Sequence, residues 1–147
     1  MARKGKREED YLEAMYVLTK SKGNIRIKDL SEILNVKPPS VVDYLNRLAD
    51  KGLVKYEKHG SITLTEEGLR IAKEVYKKHL ALKEFLTLIL GVPEEIAEED
   101  ACYIEHRIHD ITLNRLIKLV EYFRRNPKAM EILKELKRQL NAKTSSQ

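Results

Sequence analysis

A single cysteine, Cys102, in 147 residues cannot close a disulfide within one chain, so the fold rests on a packed core and not on a covalent framework. Tryptophan is absent and aromatic residues make up only 6% of the chain, which disfavours carbohydrate or single-stranded nucleic acid platforms built from stacked rings. No apolar run approaches the ~20 residues of a spanning helix, so no membrane partner is expected. The basic start, Met1 to Arg7, leads into Glu8-Glu9-Asp10 and not into an apolar stretch. A secretory leader is therefore not expected, and the cytoplasm is the expected compartment. Internal repeats and low-complexity tracts are also lacking. What remains is a chain of one domain's length, or of two small subdomains sharing a core.

Charge is plentiful: 28 bases face 23 acids, a net +5, which suits a polyanionic partner without requiring one. Its distribution is more informative. Residues 1–64 carry thirteen bases and nine acids, so most of the excess lies in the first half. Residues 94–110 hold seven acids (Glu94, Glu95, Glu98, Glu99, Asp100, Glu105, Asp110) against Arg107 alone. Such a run is either a solvated helix face or a set of acids gathered around a cation.

Hydrophobic spacing predicts a helix over 7–21, with Tyr11, Ala14, Met15 and Leu18 at i, i+3, i+4, i+7. A short extended piece, Ile25-Arg26-Ile27, leads to a helix over 28–34 with Leu30, Ile33 and Leu34 inward. Pro38 and Pro39 suit a turn and a first helical residue. A third helix carries Val41, Leu45 and Leu48 on one stripe, and Gly52 is placed to end it. Leu53–Glu57 and Ser61–Leu64 read as two short strands joined at His59-Gly60. Thr65 caps a long helix running to about Leu90, with Ile71, Val75, Leu82, Phe85, Leu86 and Ile89 as its apolar stripe. Helices over 94–108, around 113–123 and around 130–140 follow, and 143–147 reads as a frayed tail.

Helix, short helix, turn, helix and hairpin in this order describe a winged helix-turn-helix over residues 7–64. The third helix must then present its start to base edges. Ser40 can hydrogen-bond bases or phosphate, and Pro39 can pack on a thymine methyl. Lys37 and Arg47 can hold phosphates, with Tyr44 beside them. Lys55, Lys58 and His59 sit on the wing. Asp43 is the discordant residue there, since an acid repels phosphate unless it accepts a hydrogen bond from cytosine or arginine. A winged helix that binds protein instead remains open at this point.

Cys102, Glu105 and His106 stand at i, i+3, i+4, so thiolate, carboxylate and imidazole share one helix face. Asp10 and Glu13 repeat the i, i+3 spacing on the first helix. His79 falls between Val75 and Leu82 of the long helix, so it points inward. Each residue has an ordinary structural reading: a satisfied core histidine, a small buried cysteine, a helix cap. Together they offer metal-ligand chemistry. Spacing alone leaves open a metal sensor, a winged-helix regulator that senses no metal, and a metal hydrolase with Glu105 as base.

The sequence resembles the metal-dependent repressors that include the diphtheria toxin repressor and the manganese transport regulator. The resemblance runs over residues 7–125. It is carried by Glu9-Asp10-Tyr11-Leu12-Glu13-Ala14-Met15-Tyr16, Val36-Lys37-Pro38-Pro39-Ser40-Val41 and Gly52-Leu53-Val54. Leu64-Thr65-Glu66-Glu67-Gly68, Lys78-His79 and Ala101-Cys102-Tyr103-Ile104-Glu105-His106 complete the set. It implies a mainly α fold with a small β-hairpin, in which a winged helix-turn-helix precedes a helical dimerisation domain. The corresponding division is 1–64 for DNA binding, 65–91 for a linking helix and 92–142 for metal binding and dimerisation. It further implies a homodimer on double-stranded operator DNA, no small-molecule substrate, no enzymatic activity and a divalent metal corepressor. Asp10, His79, Cys102, Glu105 and His106 would be ligands, with Glu13 completing a binuclear site as in the manganese branch. Iron-sensing members tend to have Met at the position of Asp10, and manganese-sensing members Glu at that of Cys102, so this chain mixes hard and soft donors. Mn²⁺ or Fe²⁺ is the implied metal, with Co²⁺ and Zn²⁺ as in vitro substitutes. The iron branch has a further ligand, Glu, where this chain has Lys83, and His where it has Glu98. No third, SH3-like domain is expected, and on that count the chain resembles the manganese branch.

Overall fold

The computed structural model describes residues 5–58 and 60–144. His59, expected on the wing, and residues 145–147 of the expected tail lie outside the described residues. The chain divides into two compact units, Met1–Tyr76 and Lys77–Gln147.

The first unit holds α1 (Lys6–Lys22), α2 (Ile27–Leu34), α3 (Pro38–Asp50), β1 (Val54–Tyr56), β2 (Ile62–Leu64) and the start of α4 (Glu66–Glu84). This is the helix, helix-turn-helix, hairpin order of a winged helix-turn-helix. Leu12, Met15, Leu30, Val41, Leu45 and Leu48 are sealed from solvent, with Ile71, Ala72 and Val75 of α4 in the same cluster. Each leucine buried in this way contributes about 1.5–3 kcal/mol. The extended entry to α2 stops at Arg26, and Ile27 already belongs to the helix. Ile33 is 52% exposed and does not join the core, whereas Leu30 and, partly, Ile27 and Leu34 do. A helix of eight residues spans little more than two turns, so its inward stripe is narrow.

α3 begins at Pro38 itself, with both prolines in its first turn, where no intrahelical N–H is needed. It ends in a left-handed cap: Gly52 has φ +73°, and the N–H groups of Gly52 and Leu53 donate to the carbonyls of Ala49 and Leu48. The strands pair antiparallel in the register Val54↔Leu64, Lys55↔Thr63, Tyr56↔Ile62. Thr65 caps α4 by accepting the Gly68 N–H at 3.1 Å, while its hydroxyl donates to the Gly52 carbonyl at 2.7 Å. Two further contacts lock α1 to α3. Tyr11 and Tyr44 stack with ring centroids 4.4 Å apart, and buried Glu8 pairs with Lys51 at 3.3 Å.

The second unit holds the rest of α4, a π-helical turn (Phe85–Ile89), α5 (Glu94–Ile104), α6 (Asp110–Arg125) and α7 (Pro127–Thr144). The expected regular helix to Leu90 thus gives way at Phe85 to a wider turn, in which the Thr87 hydroxyl donates to the Lys83 and Glu84 carbonyls. Leu82, Leu86, Ala97, Ala101 and Leu113 form one small core, and Ile89, Val120 and Leu133 another. Ile96, Ile111, Tyr122 and Ile132 are among several large apolar residues left exposed on α5–α7. Exposed apolar area of this kind marks surfaces used for association. Among the described residues, no helix is long and apolar enough to cross a membrane.

Gly68 is where α4 meets the start of the hairpin. A Cβ built there would lie 2.0 Å from the Leu53 carbonyl oxygen. Alanine at position 68 gains about 1 kcal/mol of helix propensity but incurs an overpacking cost of about 1–3 kcal/mol or more against rigid backbone. Gly68→Ala is therefore expected to lower the urea midpoint of the chain. An unchanged or higher midpoint would contradict the close approach.

Candidate metal centre and nucleic-acid interface

The second unit gathers four of the six expected metal ligands. His79 comes from α4, one turn after Val75 and one before Leu82, and is 5% exposed. Glu105, 2% exposed, comes from the end of α5. The two completely buried alanines Ala97 and Ala101 let α5 pack closely in the core that also holds Leu82 and Leu86. His79 Nδ1 lies 2.7 Å from Glu105 Oε2, and His79 Nε2 lies 2.6 Å from Glu98 Oε1.

The helical segment expected over 94–108 ends at Ile104. Glu105 is its C-cap and His106 lies in the following turn, in which the N–H groups of Arg107 and Ile108 both donate to the Ile104 carbonyl. Glu105 keeps right-handed helical dihedrals, so the one-face relation to Cys102 survives the end of the helix. Ligand atoms of Cys102, Glu105 and His106 fall within 4.8 Å of one another, and His106 Nε2 is 3.2 Å from Glu105 Oε1. Cys102 is exposed, whereas the side chain of His106 is only 1% exposed. Asp10 and Glu13, the other two expected ligands, lie one turn apart on α1 of the first unit, both half-buried.

The electrostatics follow from burial. A hydrogen bond from the ring to Glu105 is the largest influence on His79. Burial opposes it, and the charges of Glu105 and Glu98 add to it; the result is a pKa raised to about 9. At neutral pH the ring is an imidazolium that donates to both carboxylates. Burial works against the charge of Glu98, yet the hydrogen bonds from Lys83 and His79 outweigh it, so its pKa is lowered. Lys83, bonded to Glu98 at 2.9 Å and Glu94 at 3.1 Å, has its pKa raised, the Glu98 hydrogen bond first among the causes. The thiol of Cys102, the carboxylate of Glu105 and the imidazole of His106, brought within 4.8 Å of one another, are a donor set that fits a divalent transition metal.

In the first unit, Lys37, Pro39 and Ser40 are exposed at the start of α3, and Arg47 and Lys58 are exposed further along. Tyr44 differs from its expected neighbours. It is half-buried and stacked on Tyr11, so its ring is a packing element between α1 and α3. Asp43 is exposed on the same helix. A cavity of about 540 Å³ opens between α3 and the hairpin, lined by Arg26, Val42, Asn46, Tyr56 and Lys58 among others. Arg26 and Asn46 were not singled out from the sequence. Asn46 stands four residues after Val42, and this spacing is the signal that places both on one face.

Comparison with known proteins covers nearly the whole chain. The family model described as iron dependent repressor, N-terminal DNA binding domain, matches residues 5–62. The model described as iron dependent repressor, metal binding and dimerisation domain, matches residues 65–134. An uncharacterized HTH-type transcriptional regulator of Methanocaldococcus jannaschii is 40% identical over 117 residues, 79% of this chain and 94% of its own length. The HTH-type transcriptional regulator MntR of Geobacillus kaustophilus is 35% identical over 130 residues, 88% of this chain and 92% of its own. A solved manganese-dependent transcriptional repressor in complex with manganese superposes with a TM-score of 0.72 at 27% identity, over 78% of this chain. The present chain spans about half the length of that one, 53%.

The shifted histidine makes stability depend on pH. His79 titrates near 6.5 when unfolded and about 9 when folded. Its contribution is complete below pH 6.5 and is lost as pH rises through 9. The urea midpoint of the metal-free chain is expected to fall across that window, and His79→Gln to flatten the slope. A native chain as stable at pH 9 as at 6.5 would refute the buried ion pair.

Proposed function

The chain belongs to the iron-dependent repressor family, and on that premise we propose that it is a metal-activated transcriptional repressor that binds operator DNA as a homodimer and controls metal homeostasis. The observation that carries this reading is buried Glu105, which meets His79 on one side and is grouped with Cys102 and His106 on the other. The matched metal binding and dimerisation domain supports it, as do the exposed apolar residues of α5–α7. DNA reading is assigned to residues 1–64, connection to 65–91, and metal binding and dimerisation to 92–142. The activity needs no catalytic residue, and action on the genome assigns the protein to the cytoplasm.

The proposed ligands are His79, Cys102, Glu105 and His106, with Asp10 and Glu13 of α1 completing the set. Asp10 and Glu13 are hard oxygen donors suited to Mn²⁺; the Cys102 sulfur suits Fe²⁺, Co²⁺ or Zn²⁺. Metal would supply positive charge to two groups of donors that share Glu105, one with Cys102 and His106 and the other with His79. His79 must give up its extra proton to become a ligand, so affinity falls as pH falls. The proposed DNA contacts are Lys37, Pro39, Ser40, Arg47 and Lys58, with Tyr44 holding α3 in position. Metal and operator then favour one arrangement of the chain, and each tightens binding of the other by the same factor.

Fluorescence anisotropy of a labelled fragment from the protein's own gene neighbourhood, at fixed salt, tests the scheme. Binding should appear with Mn²⁺, or with Fe²⁺ under anaerobic conditions, and vanish with chelator. Equal affinity with chelator would leave a DNA-binding protein without a metal switch. His106→Ala should weaken the metal-dependent binding at least tenfold while sedimentation still reports a dimer. Arg47→Ala should weaken binding to all sequences alike and reduce the slope of log affinity against log salt by about 1. An unchanged slope would remove Arg47 from the phosphate contacts.

A further inference from the structure

At about 3.6 residues per turn, Ser40, Asp43 and Arg47 share one face of α3, and Val42 and Asn46 lie on the flank beside it. That flank contributes to the cavity of about 540 Å³ between α3 and the hairpin. The hairpin contributes Tyr56 and Ile62, which are partners across the two strands, and Lys58 just beyond β1. The entry to α2 contributes Arg26, flanked by buried Ile25. Three elements thus meet there, and each brings one exposed polar side chain: Arg26, Asn46 and Lys58. Among the described residues no carboxylate lines the cavity. Lys22, Lys51 and Arg70 of the same unit are held by acids, whereas Arg26 and Lys58 form no ion pair among the described residues. The cavity is therefore apolar inside, cationic at its polar edge and open to an anionic partner.

The major groove of DNA is about 12 Å wide, so a helix lying in it has a phosphate backbone on either side. With the Ser40 face turned to the base edges, the Val42–Asn46 flank faces one of those backbones. We propose that this cavity seats one strand of the operator. Arg26 and Lys58 hold its phosphates from α2 and from the hairpin, Asn46 donates to the same backbone, and the apolar lining packs on deoxyribose. A guanidinium presents a fork of donors that matches two phosphate oxygens. The Asn46 amide adds direction without adding charge. Arg26 and Asn46 are positioning residues: they fix the register of α3 in the groove and read no sequence themselves.

This inference rests on the DNA-binding reading above, and the two are separable by experiment. The full-length chain is titrated with Mn²⁺ into a labelled operator fragment and, in chelator at low salt, into an unrelated duplex. Arg26→Ala is expected to weaken both complexes about tenfold and to reduce the slope of log affinity against log salt by about 1. Arg26→Lys should keep the native slope. Asn46→Ala should weaken binding about threefold to tenfold with the slope unchanged, because it removes no charge. Ethylation of single operator phosphates locates the contacts. Arg26→Ala and Lys58→Ala should each become indifferent to ethylation at neighbouring phosphates of one strand. Circular dichroism and the urea midpoint check that each variant is folded. A native slope in Arg26→Ala overturns the proposal and leaves DNA binding by α3 intact. Indifference on opposite strands also overturns it, because the two cations then hold different backbones. Binding that depends on Arg26 but is equal with Mn²⁺ and with chelator upholds the cavity and removes the metal switch. A native chain that binds neither duplex overturns both readings.

Discussion

A carboxylate removed from water must be given a positive partner or be neutralised, and Glu105 is almost entirely removed from water. The arrangement of the second unit follows from that demand. His79 supplies the partner by holding a proton well above its ordinary pKa. A doubly protonated ring has a second N–H to place, and Glu98 accepts it. Glu98 is half-exposed, and although burial works against its charge, the hydrogen bonds from Lys83 and His79 lower its pKa. Negative and positive groups therefore alternate outward from the core to the surface, each fixing the orientation of the next. The same sequence of groups is suited to exchange a proton for a metal ion, since what Glu105 requires is positive charge at one point in space.

The elements were legible in the sequence wherever a local rule acts alone. The prolines opening α3, the glycine at its end and the threonine opening α4 each satisfy a particular backbone group, and each is found in that role. Periodicity failed where geometry changes along an element. The apolar stripe of α4 continues smoothly through Phe85, Leu86 and Ile89, and nothing in it announces the π-helical turn. Ile33 fits the inward spacing of α2 but falls outside the narrow arc that a two-turn helix buries. Glu105 and His106 have helical spacing yet stand beyond the helix end, and the spacing survives because the cap retains helical dihedrals.

The expected ligand types were visible because i, i+3, i+4 patterns are local. The inward direction of His79 followed from the same periodicity, and its burial bears this out. The partners of His79 did not follow, because they depend on how closely α5 packs, and that is set by two alanines whose role a sequence does not advertise. Tyr44 shows a second use that spacing does not reveal. A polar aromatic on α3 suggests an exposed contact residue, and its ring is also packed on Tyr11. Only tertiary packing distinguishes the two uses of one residue type.

The Tyr11–Tyr44 stack and the Glu8–Lys51 pair join α1 to α3 at two points along their lengths. Asp10 is the immediate neighbour of Tyr11, and Ser40 lies one turn before Tyr44. Asp10 and Glu13 therefore stand on the helix that this stack and this pair tie to α3.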